Sequence, residues 1–425
     1  MDASLRVDGS SEFGSDKRYA PFFSGGLGLN VHKYTFMEKY GFINHLKVRG
    51  SFGQTGKVNF EPYAAVPTHE IDVDEWYVSG PAASLMRTRG NKDLKWEKTD
   101  KFDIGFELGL LRNLLYLEFS WYNEITNGLI TDVTLPTSTG FRTYKSNMGK
   151  VENKGFEIQF RSDLLSTSDW YVAVFANLAH NTNKIKKISD ALKAYNDAVN
   201  EYYNQEIESI WDKDNPNLNR VMTKYEEGQS LSAKYGLKSL GIDPANGQEL
   251  YVYRDGSVGY EWKATEMRNI GDELPWGTGS FGVNLRWRNF TFSTSFLYEF
   301  GGDFYNETLI EKVEDANIQY YNVDRRAMTE RWKKFGDVVM YKDIQDERQT
   351  TDPTSRFMQR NNVLNWSSMS IGYEFDREML KRIGIENIRI EVGTNDLWRL
   401  STVKAERGLS YPYANAVNFS VNIRF

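Results

Sequence analysis

Long stretches in which apolar and polar side chains alternate recur along this chain, and they limit the folds that it can adopt. In KFDIGFELGLL (101–111) every even-numbered residue from Phe102 to Leu110 is apolar, and the residues between them are Asp, Gly, Glu and Gly. Because successive side chains of a β-strand point to opposite faces, this period of two predicts strands with one apolar and one polar face. The same alternation is found in LLYLEFSWYNE, GFEIQFRSDL, WYVAVFANLAH, SFGVNLRWR, FTFSTSFLYEF, SMSIGYEF, NIRIEVGTNDL and VNFSVNIRF. The pattern therefore predicts an all-β chain.

The composition agrees with β-structure and argues against several classes of function. The 425 residues include 25 Tyr, 25 Phe, 11 Trp and 34 Gly but only 10 Pro, and aromatic residues favour strands. The lack of cysteine excludes a disulfide framework, a thiol nucleophile and a cysteine-ligated zinc site. The net charge of −6 is spread out without a basic tract, so no nucleic-acid partner is predicted.

Two architectures can accommodate strands of this kind. A soluble sandwich or barrel turns the apolar row towards a protein core, whereas a membrane barrel turns it towards lipid and keeps the polar row wet. Soluble strands run for about 5–6 residues, and membrane strands need about 9–11. Several stretches of this chain alternate for that longer length, which favours the membrane barrel.

The connections between the stretches point the same way. Tight hairpins are predicted at LRNL (111–114) and WRNF (287–290), and long polar connections at roughly 54–95, 183–230 and 302–360. Short turns at one end and long loops at the other are typical of outer-membrane barrels. The sequence thus predicts a transmembrane antiparallel β-barrel wall of roughly 12–14 long strands, with short periplasmic turns and long extracellular loops.

Two of the long connections carry helical patterns. DALKAYNDAVNEYYNQEIESIW (190–211) predicts an amphipathic helix within a loop, and RRAMTERWKKF (325–335) predicts a second, shorter one. Neither connection is of low complexity, so folded loops are expected rather than disorder.

No motif of the chain indicates catalysis or a bound cofactor. GTGSFG (277–282) matches the glycine spacing of a dinucleotide loop, but a strand pattern follows it where that fold requires a helix. WDKDNPNLN (211–219) begins like a calcium loop, but it lacks the required glycine and the distal glutamate. The four histidines show no metal-ligand spacing. We therefore predict no enzyme activity, no cofactor and no metal site.

Eight segments, in order along nearly the whole chain, resemble the SusC/RagA-like family of TonB-dependent outer-membrane transporters, in the second half of their barrel. The segments are ASLRVDGSSEFG (3–14), LKVRGSFGQTG (46–56), LKWEKTDKFDIGFELGLL (94–111), LPTSTGFRTYKSNMGKVENKGFEIQF (135–160), GIDPANGQELYVYRDGSV (241–258), NIGDELPWGTGSFGVNLRWRNFTFSTSFLYEFGG (269–302), RFMQRNNVLNWSSMSIGYEF (356–375) and TNDLWRLSTVKAERGLSYPYANAVNFSVNIRF (394–425).

The resemblance implies import of a large nutrient, an oligosaccharide or an oligopeptide, across the outer membrane of a Gram-negative bacterium of the Bacteroidota. The implied partners are a SusD-like surface lipoprotein that acts as a lid, the TonB complex and the lipid of the outer membrane. The resemblance also implies that the alternating final strand is recognised for outer-membrane insertion. Its apolar row consists of Phe419, Val421, Ile423 and Phe425.

Family members begin with a signal peptide, a TonB box and a plug domain, and none of these is recognised in this sequence. We therefore expect residues 1–425 to form the C-terminal portion of a transporter barrel, and TonB to act through an N-terminal part that is missing here.

Loop aromatics are the candidate substrate-binding residues, because sugar rings stack on aromatic side chains. The candidates, in or beside the predicted long loops, are Trp76, Tyr77, Trp211 and Tyr305. The alternative for each is an aromatic side chain that packs within its own loop. For the whole protein, the alternatives to energised import are a passive surface-binding or adhesion barrel and a soluble carbohydrate-active enzyme on a β-scaffold.

Overall fold

The computed structural model covers most of the chain. It describes residues 1–425 without 13–17, 59–65, 78–79, 89, 92, 113, 135–140, 142, 148, 191, 195, 198–224, 317, 319–321, 345–350, 377–378, 381–383 and 405–414. For the strand segments 70–77, 80–88, 131–134 and 143–144 only the backbone is described.

Twelve long strands of the described residues form one antiparallel sheet, called the wall below. They are β1 (Asp2–Gly9), β2 (Tyr19–Asn30), β3 (Ile43–Lys57), β6 (Glu97–Leu110), β7 (Leu115–Asn127), β10 (Gly149–Ser166), β11 (Trp170–Ile188), β17 (Gly277–Trp287), β18 (Phe290–Tyr305), β19 (Met358–Glu374), β20 (Asn387–Ser401) and β21 (Val417–Arg424). The remaining strands lie in the connections and form small separate sheets. They are β4 (Thr68–Tyr77), β5 (Gly80–Thr88), β8 (Ile130–Thr134), β9 (Thr143–Asn147), β12 (Ala233–Gly236), β13 (Lys238–Ile242), β14 (Glu249–Val252), β15 (Val258–Gly259) and β16 (Arg268–Asp272).

The wall strands follow one another in chain order, and each pairs only with its neighbours. The strands reach 18 residues in β10 and 19 in β11, well beyond the length of about 5–6 that is usual in soluble sheets. The prediction of an all-β antiparallel wall of roughly 12–14 long strands is confirmed.

The two ends of the wall differ in their connections, as predicted. At one end, β6 joins β7 through 111–114, β10 joins β11 through 167–169, and β17 joins β18 through 288–289, and the two remaining connections, 31–42 and 375–386, have 12 residues each. Leu111 and Arg112 both have positive φ, 53° and 61°, the backbone of a hairpin turn that matches strand twist. At the other end the connections are 10–18, 58–96, 128–148, 189–276, 306–357 and 402–416. We call these the short-turn end and the long-loop end.

The structure differs from the prediction in the bounds of one long connection and in the extent of the two helices predicted within the loops. The predicted loop at 183–230 is wrong in its bounds, because β11 continues to Ile188 and β17 begins only at Gly277. Short strands and turns that carry their own hydrogen bonds occupy the extra length. Residues 190, 192–194 and 196–197 are helical, and the rest of the predicted 190–211 helix lies outside the described residues. The predicted helix at 325–335 is only Arg326–Thr329.

The wall has two chemically different faces. The outer row is the face that carries Phe102, Ile104 and the side chains in register with them, and many of its apolar members are exposed, Phe102 by 44% and Ile104 by 46%. The inner row is the opposite face, where charged and hydroxyl side chains pair across strands. An exposed apolar row opposite a paired polar row is the arrangement of a membrane wall. No helix in the described part of the chain is long and apolar enough to span a bilayer.

The buried hydrophobic clusters lie at the long-loop end instead of in the middle of the wall. The largest contains Leu309, Ile310, Val313, Ala327, Tyr341 and Phe357. A second cluster contains Leu237, Tyr251, Ala264 and Met267. A soluble sandwich would place its core between two sheets of long strands. In this structure the loops have cores of their own, and the apolar row of the wall does not.

Candidate functional site: the inner row and the loop body

Serine side chains line the inner row where β18, β19 and β20 lie side by side. Ser293 Oγ lies 3.1 Å from Ser370 Oγ, and Ser295 Oγ lies 2.7 Å from Ser368 Oγ. The alternation in TFSTSF and SSMSIG puts these hydroxyls on one face, because the residues between them lie on the outer row. A cavity of about 260 Å³ opens over this patch, with Asn395, Asn418 and Ser420 among its lining residues. The patch offers hydroxyl and amide groups to a polar solute.

A second cavity, of about 300 Å³, adjoins the first towards the short-turn end. Its lining includes Tyr171, Asn284, Arg286, Arg389 and Glu391. Arg389 Nη2 lies 2.9 Å from a carboxylate oxygen of Glu391. This part of the inner row therefore combines hydrogen-bonding groups with guanidinium groups of positive charge.

Charged side chains also line the inner row of β3, β6 and β7. Lys47 Nζ lies 2.7 Å and His45 Nε2 3.2 Å from the carboxylate of Glu107. Arg49 Nη2 of β3 lies 2.9 Å from Glu118 of β7, across the intervening β6. Such a ladder of ions is stable only on a face that stays hydrated, because isolated charges are costly in hydrocarbon. The ladder therefore identifies the wet face of the wall.

Above the wall, the described parts of 231–276 and 306–357 pack together into one unit, called the loop body. Arg356 joins its two halves: its Nη2 lies 2.7 Å from Glu249 and 2.8 Å from Glu314. The Arg356 side chain is 5% exposed and that of Glu314 is 0%. Leu237 and Thr354 form a parallel bridge between the halves. The two longest connections are thus joined by a buried ion network.

Burial in the loop body shifts the pKa of several titrating groups, among them Asp352 and Tyr251. Burial raises the pKa of Asp352 to about 6; Lys342 opposes this shift, and the charges of Asp315 and Glu249 add to it. Burial also raises the pKa of Tyr251 well above its usual range, and the carboxylate of Glu249 contributes to that shift. The interior of the loop body is therefore dry enough to disfavour additional charge.

The predicted substrate-contacting aromatics are only partly described. Tyr305 is the last residue of β18; it is half-buried against the Leu309–Phe357 cluster, and its hydroxyl accepts a hydrogen bond from the main-chain N–H of Thr354 at 3.4 Å. Trp76 and Tyr77 close the β4–β5 hairpin opposite Pro81 and Gly80, and their side chains lie outside the described residues. Trp211 also lies outside them. The role of all four stays a prediction.

The final strand has the geometry expected of an alternating barrel strand. Val421 of β21 pairs with Ile390 of β20, and Phe419 pairs with Val392, all on the outer row. Phe425 follows the strand and is 82% exposed. The predicted role of Phe419, Val421, Ile423 and Phe425 in membrane insertion stays a prediction.

Neither the serine patch on the inner row nor the ion network around Arg356 is predicted from the sequence. The patch had a detectable signal, since serine or threonine recurs at every second position in FTFSTSF and again in SSMS. The ion network had none, because Arg356 and Glu249 are 107 positions apart.

An antiparallel wall of long strands, apolar on one face and ionic on the other, with tight turns at one end and folded loops at the other, defines the wall of an outer-membrane-type β-barrel. Known proteins that are similar to this chain identify the family within this class. Residues 1–222, more than half of the chain, match the family model described as TonB dependent receptor-like, beta-barrel, and the chain belongs to this family.

Its relatives are much longer proteins. TonB-dependent receptor P3 of Formosa agariphila is 26% identical over 412 residues, which are 92% of this chain and 38% of that protein. TonB-dependent receptor SusC of Bacteroides thetaiotaomicron is 24% identical over 425 residues, 96% of this chain and 37% of that protein. The chain therefore spans about two fifths of the length of these curated relatives.

The fold is also similar to a solved structure. The RagAB peptide transporter superposes with a TM-score of 0.77 at 22% sequence identity, over 95% of this chain and 42% of that one. At this identity the likeness establishes the fold, and it agrees with the strand order and the alternating faces described above.

Proposed function

We propose that this chain forms part of the wall of an importer that brings a large nutrient across the outer membrane with energy from TonB. The observation that carries the proposal is the inner row: in a TonB-dependent receptor-like barrel, it presents hydroxyl, amide and guanidinium groups around two adjoining cavities. A polar solute that moves along such a surface can replace each hydrogen bond that it loses by another one nearby. It can therefore pass without being trapped at one site.

The proposed substrate is an oligosaccharide or an oligopeptide. Both carry many hydroxyl or amide groups, which match the serine and asparagine side chains of the inner row. The likeness to the RagAB peptide transporter supports an oligopeptide as the substrate. The likeness to SusC, which is named a TonB-dependent receptor, supports energised import. We propose Trp76, Tyr77, Trp211 and Tyr305 as substrate contacts at the extracellular loops.

The proposed location is the outer membrane of a Gram-negative bacterium of the Bacteroidota. The family and the source of the relatives in Formosa and Bacteroides support it. The proposed partners are a SusD-like lipoprotein lid over the loops and the TonB complex. The loop body suits the first of these, because the network around Arg356 joins two long loops into one platform. We propose a transporter rather than an enzyme.

Uptake by whole cells tests the proposal. A strain that lacks the gene is complemented with it, and uptake of a labelled oligopeptide pool and a labelled oligosaccharide pool is measured with and without a protonophore. Energised import requires accumulation that depends on the gene and is lost with the protonophore. Binding at the surface without accumulation would instead support the passive surface-binding alternative. If neither pool binds nor accumulates, the proposal of nutrient import is wrong.

A further inference from the structure

Five lysines gather on the outer face at the long-loop end of β10 and β11. They are Lys150, Lys154, Lys184, Lys186 and Lys187, which we call the lysine patch. Lys154, Lys184, Lys186 and Lys187 are exposed. The sequence conceals the patch, because the lysines come from two strands and because a register shift at Lys150 and Val151 brings the consecutive Lys186 and Lys187 to one face.

The register of the strands places the patch directly above the apolar band. Along β11 the outer row runs from Trp170 to His180, and Lys184 lies on the same face beyond them. Trp170 stacks on Trp287 with ring centroids 5.7 Å apart, and His180 lies 4.8 Å from the ring of Trp276. Ten residues of a tilted strand rise by about 25 Å, the height of the apolar band of a membrane barrel. The two aromatic contacts therefore mark the two interfaces, and the patch lies at head-group level.

The charge of the patch is largely uncompensated within the described residues. Lys186 Nζ lies 2.9 Å from Glu152, the carboxylate on this face of the two strands. Glu227, nearby, accepts a hydrogen bond from the main-chain N–H of Ile188. Lys150 and Lys187 are direct partners in the register, and like charges placed opposite each other destabilise a strand pair. Within the described residues the patch therefore keeps an excess of positive charge, which a bound anion would stabilise.

Aromatic groups just below the patch extend its recognition surface. Lys154 Nζ lies 5.5 Å from the centre of the Trp121 ring, which belongs to the outer row of β7. The ring of Phe156 lies 5.2 Å from that of His180. A ligand that lies along this surface would meet rings at the level of its acyl chains and ammonium groups at the level of its head group.

We propose that the lysine patch binds a phosphorylated lipid of the outer leaflet, with the phosphate held by Lys154, Lys184 and Lys187 and the acyl chains against the aromatic side chains below. The proposal rests on the placement of the wall in a membrane and is independent of the nutrient that is imported. A lipid head group and free phosphate would both offer a phosphate group to these lysines. The position of the patch directly above the apolar band favours the lipid as the occupant.

Native mass spectrometry of the detergent-solubilised chain tests the site, with lipid A, a glycolipid that carries two phosphates, as the probe. The variant Lys154→Gln/Lys184→Gln/Lys187→Gln is compared with Lys238→Gln/Lys333→Gln/Lys334→Gln, which removes the same charge from exposed lysines of the loop body. We expect saturable binding to the unaltered chain, a loss of at least about tenfold in affinity for the first variant, and no change for the control. Dephosphorylated lipid A should bind weakly to all three proteins.

The other outcomes have distinct meanings. Equal affinity of both variants for lipid A would overturn the site. Displacement of lipid A by millimolar inorganic phosphate would overturn the lipid as occupant in favour of a free anion. Insertion of the chain into phosphatidylcholine vesicles tests the membrane placement separately: if the chain inserts without preferring lipid A, only the site fails. Circular dichroism of each variant checks that the strands are intact.

Discussion

The hydroxyl of Tyr298 donates a hydrogen bond to the main-chain carbonyl of Asn177 at 2.7 Å, although a whole strand lies between the two residues. Tyr298 belongs to β18 and Asn177 to β11, and the ring crosses β17 at Gly279. A Cβ at Gly279 would lie 2.1 Å from the Asn177 oxygen and 2.6 Å from the Tyr298 hydroxyl. Three strands are thus tied in one register at a point where only glycine fits.

The first prediction concerns this contact. Gly279→Ala should lower the free energy of unfolding of the wall by about 1–3 kcal/mol, because the added methyl must displace main chain. Tyr298→Phe, which removes only the hydrogen bond, should cost about 0.5–1.5 kcal/mol. Gly393→Ala is the matched control, since a Cβ there meets its nearest neighbours at 3.6 Å. Urea unfolding in lipid vesicles measures all three; equal losses for Gly279 and Gly393 would contradict the steric explanation.

The two faces of the wall predict opposite responses to lysine. Phe292→Lys, on the outer row one step from the Trp287–Phe290 level, should cost less than the about 2–4 kcal/mol expected for lysine at mid-bilayer. Ser293→Lys, one residue away on the inner row, should be tolerated, because Ser293 lines a hydrated cavity. Val283→Lys and Asn284→Lys form a second such pair on β17. The amount of each variant that folds into vesicles provides the measurement, and equal sensitivity of both faces would rule out the assignment of the rows.

Arg356 should hold the loop body together without supporting the wall. Arg356→Met leaves the buried carboxylates of Glu249 and Glu314 without their cation, a change that typically costs about 3–5 kcal/mol. Hydrogen exchange should therefore accelerate in 237–252 and 309–314 and stay unchanged in β6 and β7. Arg360→Gln is the control, because the Arg360–Asp303 pair is solvent-exposed. Faster exchange throughout the wall would contradict a local role.

The stability of the loop body should depend on pH, because the pKa of Asp352 is raised in the folded protein. Its pKa is about 6 in the folded protein, compared with 3.8 for the free side chain, so the folded state holds the proton more tightly. Between pH 4 and 6 the unfolded state releases this proton first, and stability should fall as the pH rises, by at most about 3 kcal/mol. Asp352→Asn should remove this contribution. Hydrogen exchange of 351–357 in both proteins at pH 4.5 and pH 7 measures the difference; an unchanged pH dependence in the variant would contradict it.

The final residue predicts a defect in assembly more than in stability. Phe425→Ala should lower the fraction of chain that reaches the outer membrane, because it removes the terminal aromatic of the predicted insertion signal. The β20–β21 pairing ends at Arg424, so the stability of the molecules that do insert should stay unchanged. Membrane fractionation followed by thermal unfolding separates the two effects. Arg424→Gln, on the inner row, is the control, and equal assembly of both variants would count against the signal.

The sequence predicts the wall well because each strand carries its own period of two, and its faces need no knowledge of its neighbours. The loop body has no comparable signal. Its strands, such as Glu249–Val252, are too short to show a period, which is why the sequence predicts the wrong bounds for the connection at 183–230. Contacts such as Arg356 with Glu314 depend on how two loops meet, and the lysine patch depends on the register of two strands. Neither can be inferred from local pattern.

The location of the buried clusters has a consequence for how the molecule responds to its surroundings. The strands of the wall are stabilised by the hydrocarbon of the bilayer, which lies outside the protein. The loop body above them is stabilised by its own buried side chains, among them Leu309 and Phe357. A thinner or more fluid bilayer should therefore lower the melting temperature of the wall strands and leave that of the loop body almost unchanged. A denaturant that acts in water, such as urea, should unfold the loop body at a lower concentration than the strands of the wall.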